Sequence, residues 1–179
     1  MAFTEPRLAG GILESYLRLS QALLRAVNSL GVFAQANPKS GTQKTARENQ
    51  KPVCFEVPSN YEITFQGKKL IGSAQARKKS GILQHGTLPL YGDLTRILKV
   101  IIDKNKPGAE ERLLERAATL ETALGFRISW AEAAAAVIAA FEETLTISFE
   151  ESNLTPIEEK RALRLVKEKY AHPGWTERI

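Results

Sequence analysis

Apolar residues at Ile12, Tyr16, Leu19, Leu23, Val27 and Leu30 recur at spacings of three and four. Such spacing lays them along one face of an amphipathic helix, with Arg18 and Arg25 on other faces. Gly31 follows the last of them, where a left-handed C-terminal cap belongs. After a short apolar piece, Val32 to Ala36, the stretch from Asn37 to Lys51 is polar and aperiodic, and is expected to form a surface loop. From Pro52 to Leu90 the period becomes two. Tyr61, Ile63 and Phe65 alternate with Glu62 and Thr64, and Gln66-Gly67 suits a tight turn. The chain returns through Lys69, Leu70, Ile71 and Gly72, turns again at Lys79-Ser80-Gly81, and continues as Ile82 to Leu90. Three neighbouring strands joined by short turns make an antiparallel meander.

The remainder reads as helices. Leu94, Ile97, Leu98, Ile101 and Ile102 follow a helical stripe that Pro107-Gly108 ends. Leu113, Leu114, Ala117, Leu120 and Leu124 form the next, closed by Gly125. Ser129 with Glu132 fits a capping box ahead of the alanine-rich run Ala133 to Phe141. Thr155-Pro156-Ile157-Glu158 combines an N-cap, a proline at the first helical position and a glutamate at the third. The helix that follows is expected to turn Leu163, Val166 and Tyr170 inward and to end before Pro173. Helices gathered after an antiparallel meander define an α+β class with a C-terminal helical region.

Composition narrows the function. With 179 residues, 43% apolar and 25% charged, the chain suits a compact globular domain rather than a disordered one. Its single cysteine, Cys54, excludes an internal disulfide and fits a reducing cytoplasm. No apolar run approaches the roughly 18 residues of a membrane span, and Met1 to Gly11 lacks a signal-peptide core. The net charge of +5 is unevenly spread. Residues 1–107 hold 16 Lys/Arg against 7 Asp/Glu, whereas 108–179 hold 9 against 13. That division suggests an α+β region over 1–107, basic enough to meet an anionic partner, and an acidic helical region over 108–179.

Metal-ligand spacings, phosphate-binding glycine loops and the serine nucleophile elbow are all absent from the sequence. The unusual residues concentrate between Cys54 and Thr87. Cys54 reads either as a small buried hydrophobe or as a thiol that a nearby ammonium would turn into a thiolate, with Lys69 the candidate cation. Gly72-Ser73-Ala74 is either a bulge or a place where a ligand approaches the strand closely. Gln84-His85-Gly86-Thr87 adds polar groups and another glycine on the next strand, so the two segments together favour a ligand-binding face. Arg77-Lys78-Lys79 reads as a solvated hairpin tip, and without interleaved aromatics it gives little reason to expect nucleic acid.

Three segments resemble the biotin/lipoate A/B protein ligase family, and within it the LipM-type octanoyltransferase branch. They are Cys54 to Ile63 (Cys-Phe-Glu-Val-Pro-Ser-Asn-Tyr-Glu-Ile), Gly67 to Gln75 (Gly-Lys-Lys-Leu-Ile-Gly-Ser-Ala-Gln) and Leu83 to Thr87 (Leu-Gln-His-Gly-Thr). Lys69 with Gly72-Ser73-Ala74 marks the wider family, whereas Cys54 ahead of Pro-Ser-x-Tyr-Glu-Ile is the more discriminating feature. ATP-dependent lipoate ligases usually lack that cysteine and carry Asn-Asp where this chain has Tyr61-Glu62. The Leu13-Glu14-Ser15-Tyr16 helix and the Leu154-Thr155-Pro156 helix ending near Trp175 extend the resemblance over most of the chain.

The resemblance implies a biotinyl/lipoyl-transferase fold of class II synthetase type and octanoyl transfer in two steps. Cys54 would attack the octanoyl thioester of acyl carrier protein, and a lysine of a lipoyl domain, such as that of glycine-cleavage H protein, would then take the acyl group. Lys69 would stabilise the thiolate and the carbonyl oxygen. Gly72, Ser73, Ala74, Gln75, His85, Gly86 and Thr87 would bind the substrate, with no cofactor or metal. Alternatives are an ATP-dependent lipoate ligase, transfer of octanoyl from H protein to dehydrogenase E2 subunits, and a non-catalytic subunit that binds lipoyl domains. Members of the family also carry an Arg-Arg-x-x-Gly-Gly element and several strands before the helix that begins here near Gly11. The expectation is therefore a partial fold, completed by a longer reading frame or by a separate N-terminal polypeptide.

Overall fold

A computed structural model describes residues 5–37, 62–78, 81–100 and 107–177. The chain forms two compact units, Met1–Ile147 and Ser148–Ile179, so the charge boundary at Pro107 lies inside the first.

In the larger unit, helix α1 (Ile12–Ser29) is followed by a four-stranded antiparallel sheet in sequential order. The strands are β1 (Gln35–Asn37), β2 (Glu62–Phe65), β3 (Lys68–Lys78) and β4 (Gly81–Thr87). β2, β3 and β4 are the expected meander, and the Gln66-Gly67 turn is present. β1 is an addition: it pairs Gln35 with Thr64 and Asn37 with Glu62, using a segment only three residues long. Gly31 takes φ +97° after α1, the left-handed geometry that favours glycine there.

The buried face of α1 differs from its apolar stripe. Leu19 and Val27 are buried as expected, but Ile12 is 61% exposed, and Ser15, Ser20, Ala22 and Ala26 are buried instead. Small residues let α1 approach α4 (Trp130–Leu145), which contributes buried Ala133 and Ala140 of its own. Hydrophobicity alone does not reveal a contact built on small side chains. The main core joins Val27, Val32, Ala34, Ile63, Leu70, Ile71 and Leu120, and a second cluster joins Leu19, Ile82 and Leu145.

Two helical expectations need correction. Leu94–Lys99 is a 3-10 helix in which Leu98 alone is buried, started by Asp93 accepting from the Thr95 N–H. Ile101 and Ile102 lie outside the described residues. The Leu113 to Leu124 stripe is two helices, α2 (Ala109–Arg116) and α3 (Leu120–Leu124). Between them Ala117 is extended, the Ala118 N–H bonds to the Lys69 carbonyl, and Thr119 caps α3 by accepting from the Thr122 N–H. A tertiary hydrogen bond thus overrides two helix-favouring alanines.

The Ser129–Glu132 capping box forms as expected. The Ser129 hydroxyl and then its N–H hold the Glu132 carboxyl below the ordinary carboxylate range. Its contribution is present above that range and fades as pH falls through the lowered value. Ser129→Ala should destabilise the fold by about 1 kcal/mol, read as a lower urea midpoint at unchanged slope.

In the smaller unit, α5 (Pro156–Leu165) begins with the expected Thr155 cap and runs into a π-helical segment, Val166–Tyr170, ahead of α6 (Pro173–Thr176). Leu163, Val166 and Tyr170 are exposed rather than turned inward, Leu163 by 72%. Tyr170 instead meets Trp175 edge to face, with the Lys169 ammonium over both rings. A unit this short has little apolar surface of its own to bury against.

Candidate active site

Lys69 is fixed where three pieces of chain converge. It stands opposite Thr64 of β2, its carbonyl accepts from Ala118 at 3.0 Å, and it bridges in parallel to Ala117. The β2–β3 register slips at Ile63/Thr64, and Lys69, Leu70 and Ile71 are buried in succession. An irregularity therefore exists, but it lies before Gly72-Ser73-Ala74 rather than within it. The Lys69 ammonium donates to Glu62 at 2.5 Å, with the two side chains only 10% and 6% exposed. Regular alternation would put Glu62 on the face opposite Ile63, whereas both are buried. A lysine buried in the same tight hairpin needs a neighbouring anion, and Glu62 supplies it. The sequence carries that signal as Glu and Lys on adjoining strands, in a hairpin otherwise rich in apolar residues. Cys54, the expected partner of Lys69, lies outside the described residues.

The β3–β4 register brings together the two segments singled out in the sequence. Gly72 pairs with Thr87, Ser73 with Gly86, Ala74 with His85 and Gln75 with Gln84. Period two then puts Ser73, Gln75, Gln84 and Gly86 on one face and Gly72, Ala74, His85 and Thr87 on the other. α1 touches the first face. Tyr16 and Ser73 hydroxyls lie 2.8 Å apart, and Gln75 accepts from Ser15 at 3.0 Å while donating to Gln84 at 3.0 Å. Arg77 donates to Ser15 at 3.1 Å, so it is engaged with α1 rather than solvated at a hairpin tip. Lys79 lies outside the described residues.

An apolar cavity of about 340 Å³ lies along these strands, with Leu19 and Leu23 of α1, Ile71 of β3, Ile82 of β4, and Val137 and Phe141 of α4 in its walls. Ser73, His85, Gly86 and Thr87 also line it, whereas Gly72, Ala74 and Gln75 do not. Its size falls in the range of small-molecule sites, about 300–1,000 Å³, and its lining suits an aliphatic chain. Gly86 sits tightly against β3: a β-carbon there would lie 2.7 Å from the Gly72 carbonyl oxygen and 3.0 Å from the Ser73 β-carbon. Gln84 is another lining residue, and its side-chain nitrogen is buried with no hydrogen-bond partner among the described residues. Among those residues no group of three or more His, Cys, Asp or Glu side chains is placed to hold a metal ion.

The fold is that of the lipoate-protein ligases. A crystal structure of lipoate-protein ligase A bound with ATP matches it with a TM-score of 0.69 at 25% identity, over 92% of this chain and 59% of that one. The chain belongs to the lipoyl protein ligase A/B catalytic-domain family, whose model matches residues 2–142. Octanoyltransferase LipM of Symbiobacterium thermophilum is 36% identical over 97% of this chain and 65% of its own length. Octanoyltransferase LipM of Carboxydothermus hydrogenoformans is 33% identical over 95% of this chain and 62% of its own length. The chain therefore spans less than two thirds of the relatives it matches.

Proposed function

We propose that the chain supplies the cysteine and lysine of an octanoyltransferase of lipoate biosynthesis. The observation that carries this reading is its 33–36% identity, along nearly its whole length, to proteins of that activity. In the reaction, the Cys54 thiolate attacks the carbonyl carbon of octanoyl-acyl carrier protein, and the carrier's thiolate leaves. The ε-amine of a lysine on a lipoyl domain, such as that of H protein, then attacks the Cys54 thioester. An amide forms, the carbon–sulfur bond breaks and the thiolate returns. The Lys69 charge stabilises the thiolate and the oxyanion of each tetrahedral intermediate. Ser73, His85, Gly86 and Thr87 line the cavity that takes the acyl chain, while Gly72, Ala74 and Gln75 shape the strands around it. No metal or cofactor takes part. Both protein partners are acidic, so the basic 1–107 region would steer their docking in the cytoplasm. Among the described residues no helix is long and apolar enough to cross a membrane.

Incubation with octanoyl-acyl carrier protein should add one hydroxylamine-labile octanoyl group at Cys54, read by mass spectrometry, and Cys54→Ala should abolish it. Absence of the adduct, even with the unmatched part of the relatives supplied as a separate polypeptide, would overturn the assignment. A second reading, an ATP-dependent lipoate ligase, is favoured by the fold match to an ATP-bound ligase. It requires ATP for transfer and tolerates Cys54→Ser.

A further inference from the structure

We infer that Glu62 is a positioning residue that holds Lys69 as an ammonium and so keeps it from taking the acyl group itself. The inference rests on the acyl-transfer reading above. In that reading the acceptor is a lysine amine, and Lys69, assigned there to the thioester's carbonyl oxygen, is itself a lysine amine. A neutral Lys69 nitrogen would attack the carbonyl carbon of a bound thioester. Its nitrogen–carbon bond would form as the carbon–sulfur bond broke, the thiolate would leave with the electron pair, and the nitrogen's extra proton would pass to thiolate or solvent. The product would be a stable amide on the enzyme, a dead end. Proximity favours this internal amine over any that must first dock.

A charge buried without a partner is costly. The chain nevertheless buries Lys69, and buries Glu62 beside it at 2.5 Å. An ammonium bonded to a carboxylate has no lone pair to offer an acyl carbon, yet its positive charge remains for an oxyanion. Glu62 sits on β2 and Lys69 on β3, and both are buried. The anion is thus delivered by the sheet itself rather than by a mobile surface group.

The test compares wild type, Glu62→Gln and Glu62→Asp as full chains, at a temperature where all three keep the wild-type far-ultraviolet spectrum. Each is exposed to octanoyl-pantetheine thioester, washed with hydroxylamine to strip thioesters, and mapped by peptide mass spectrometry. Glu62→Gln should carry hydroxylamine-stable octanoyl on Lys69 at a level on the order of tenfold above wild type, and Glu62→Asp should restore protection. A parallel treatment with acetic anhydride reads the availability of the Lys69 amine without any acyl site. Lys69 should acetylate faster in Glu62→Gln than in wild type. Equal acetylation in the two proteins would overturn the role of Glu62. Faster acetylation without octanoylation would support that role and count against the thioester reading beneath it.

Discussion

Lys69→Met is expected to lower stability by about 3–5 kcal/mol, because it removes one member of a buried ion pair while the other stays in the sheet. Methionine keeps most of the lysine's stem volume, so little of the loss comes from packing. The informative comparison is with Lys69→Met/Glu62→Leu, in which both charges become apolar. Buried pairs replaced together are often neutral in stability, so the double variant should regain most of the loss in urea denaturation. On the proposed mechanism neither variant should transfer octanoyl, since neither keeps the Lys69 cation. Stability and activity should thus separate: replaceable for folding, the pair is required for chemistry only on the proposed mechanism. Equal stability of single and double variants would contradict this account.

Gly86→Ala should damage the sheet and the cavity together. Its new methyl group would stand 2.7 Å from the Gly72 carbonyl oxygen, a backbone atom that cannot rotate away. β3 and β4 would have to part, at a cost of about 1–3 kcal/mol for overpacking. In a chain of this size that corresponds to a fall in Tm of roughly 2–4 °C per kcal/mol. Because Gly86 and Ser73 both line the apolar cavity, parting them also changes its shape. Transfer of octanoyl should fall more steeply than that of a shorter acyl group supplied on the same carrier. A Gly86→Ala protein with wild-type Tm and unchanged chain-length preference would show that the close approach is relaxed in solution.

The features legible in the sequence are those decided within a few residues. Gly31 and Gly125 end their helices, and Ser129, Thr155 and their glutamates start others, because a cap is a local hydrogen bond or a local φ. The hairpin at Gln66-Gly67 was legible for the same reason. The β3–β4 pairing brings Gly72-Ser73-Ala74 beside Gly86 and its neighbours, on adjacent strands as the sequence suggests. What the sequence hid depends on distant partners. β1 exists because β2 offers it an edge, and the break at Ala117-Ala118 exists because Lys69 offers a carbonyl. Ser15, Ser20 and Ala26 are buried although no hydrophobic stripe encodes them, Ser15 against Gln75 and Arg77 of β3. Glu62 fits the polar half of an alternation, yet it is buried beside the Lys69 ammonium, a partner on the next strand. Ile12 and Leu163 fit amphipathic patterns yet are exposed, so periodicity located helices without saying what each face meets.

The hydrogen bond from Ala118 to the Lys69 carbonyl has a consequence for the order of folding. The hairpin that brings Glu62 to Lys69 closes over only a few residues, a fast local event. Locking Lys69 from its other side requires a chain segment that follows β4 and the whole α2 helix to return to β3. Contacts so distant in sequence carry a larger loop-closure cost, and form once local structure is in place. The reactive geometry therefore matures after the charge pair itself. In a partly folded chain the lysine is already paired with its glutamate before the backbone that aims it has been secured.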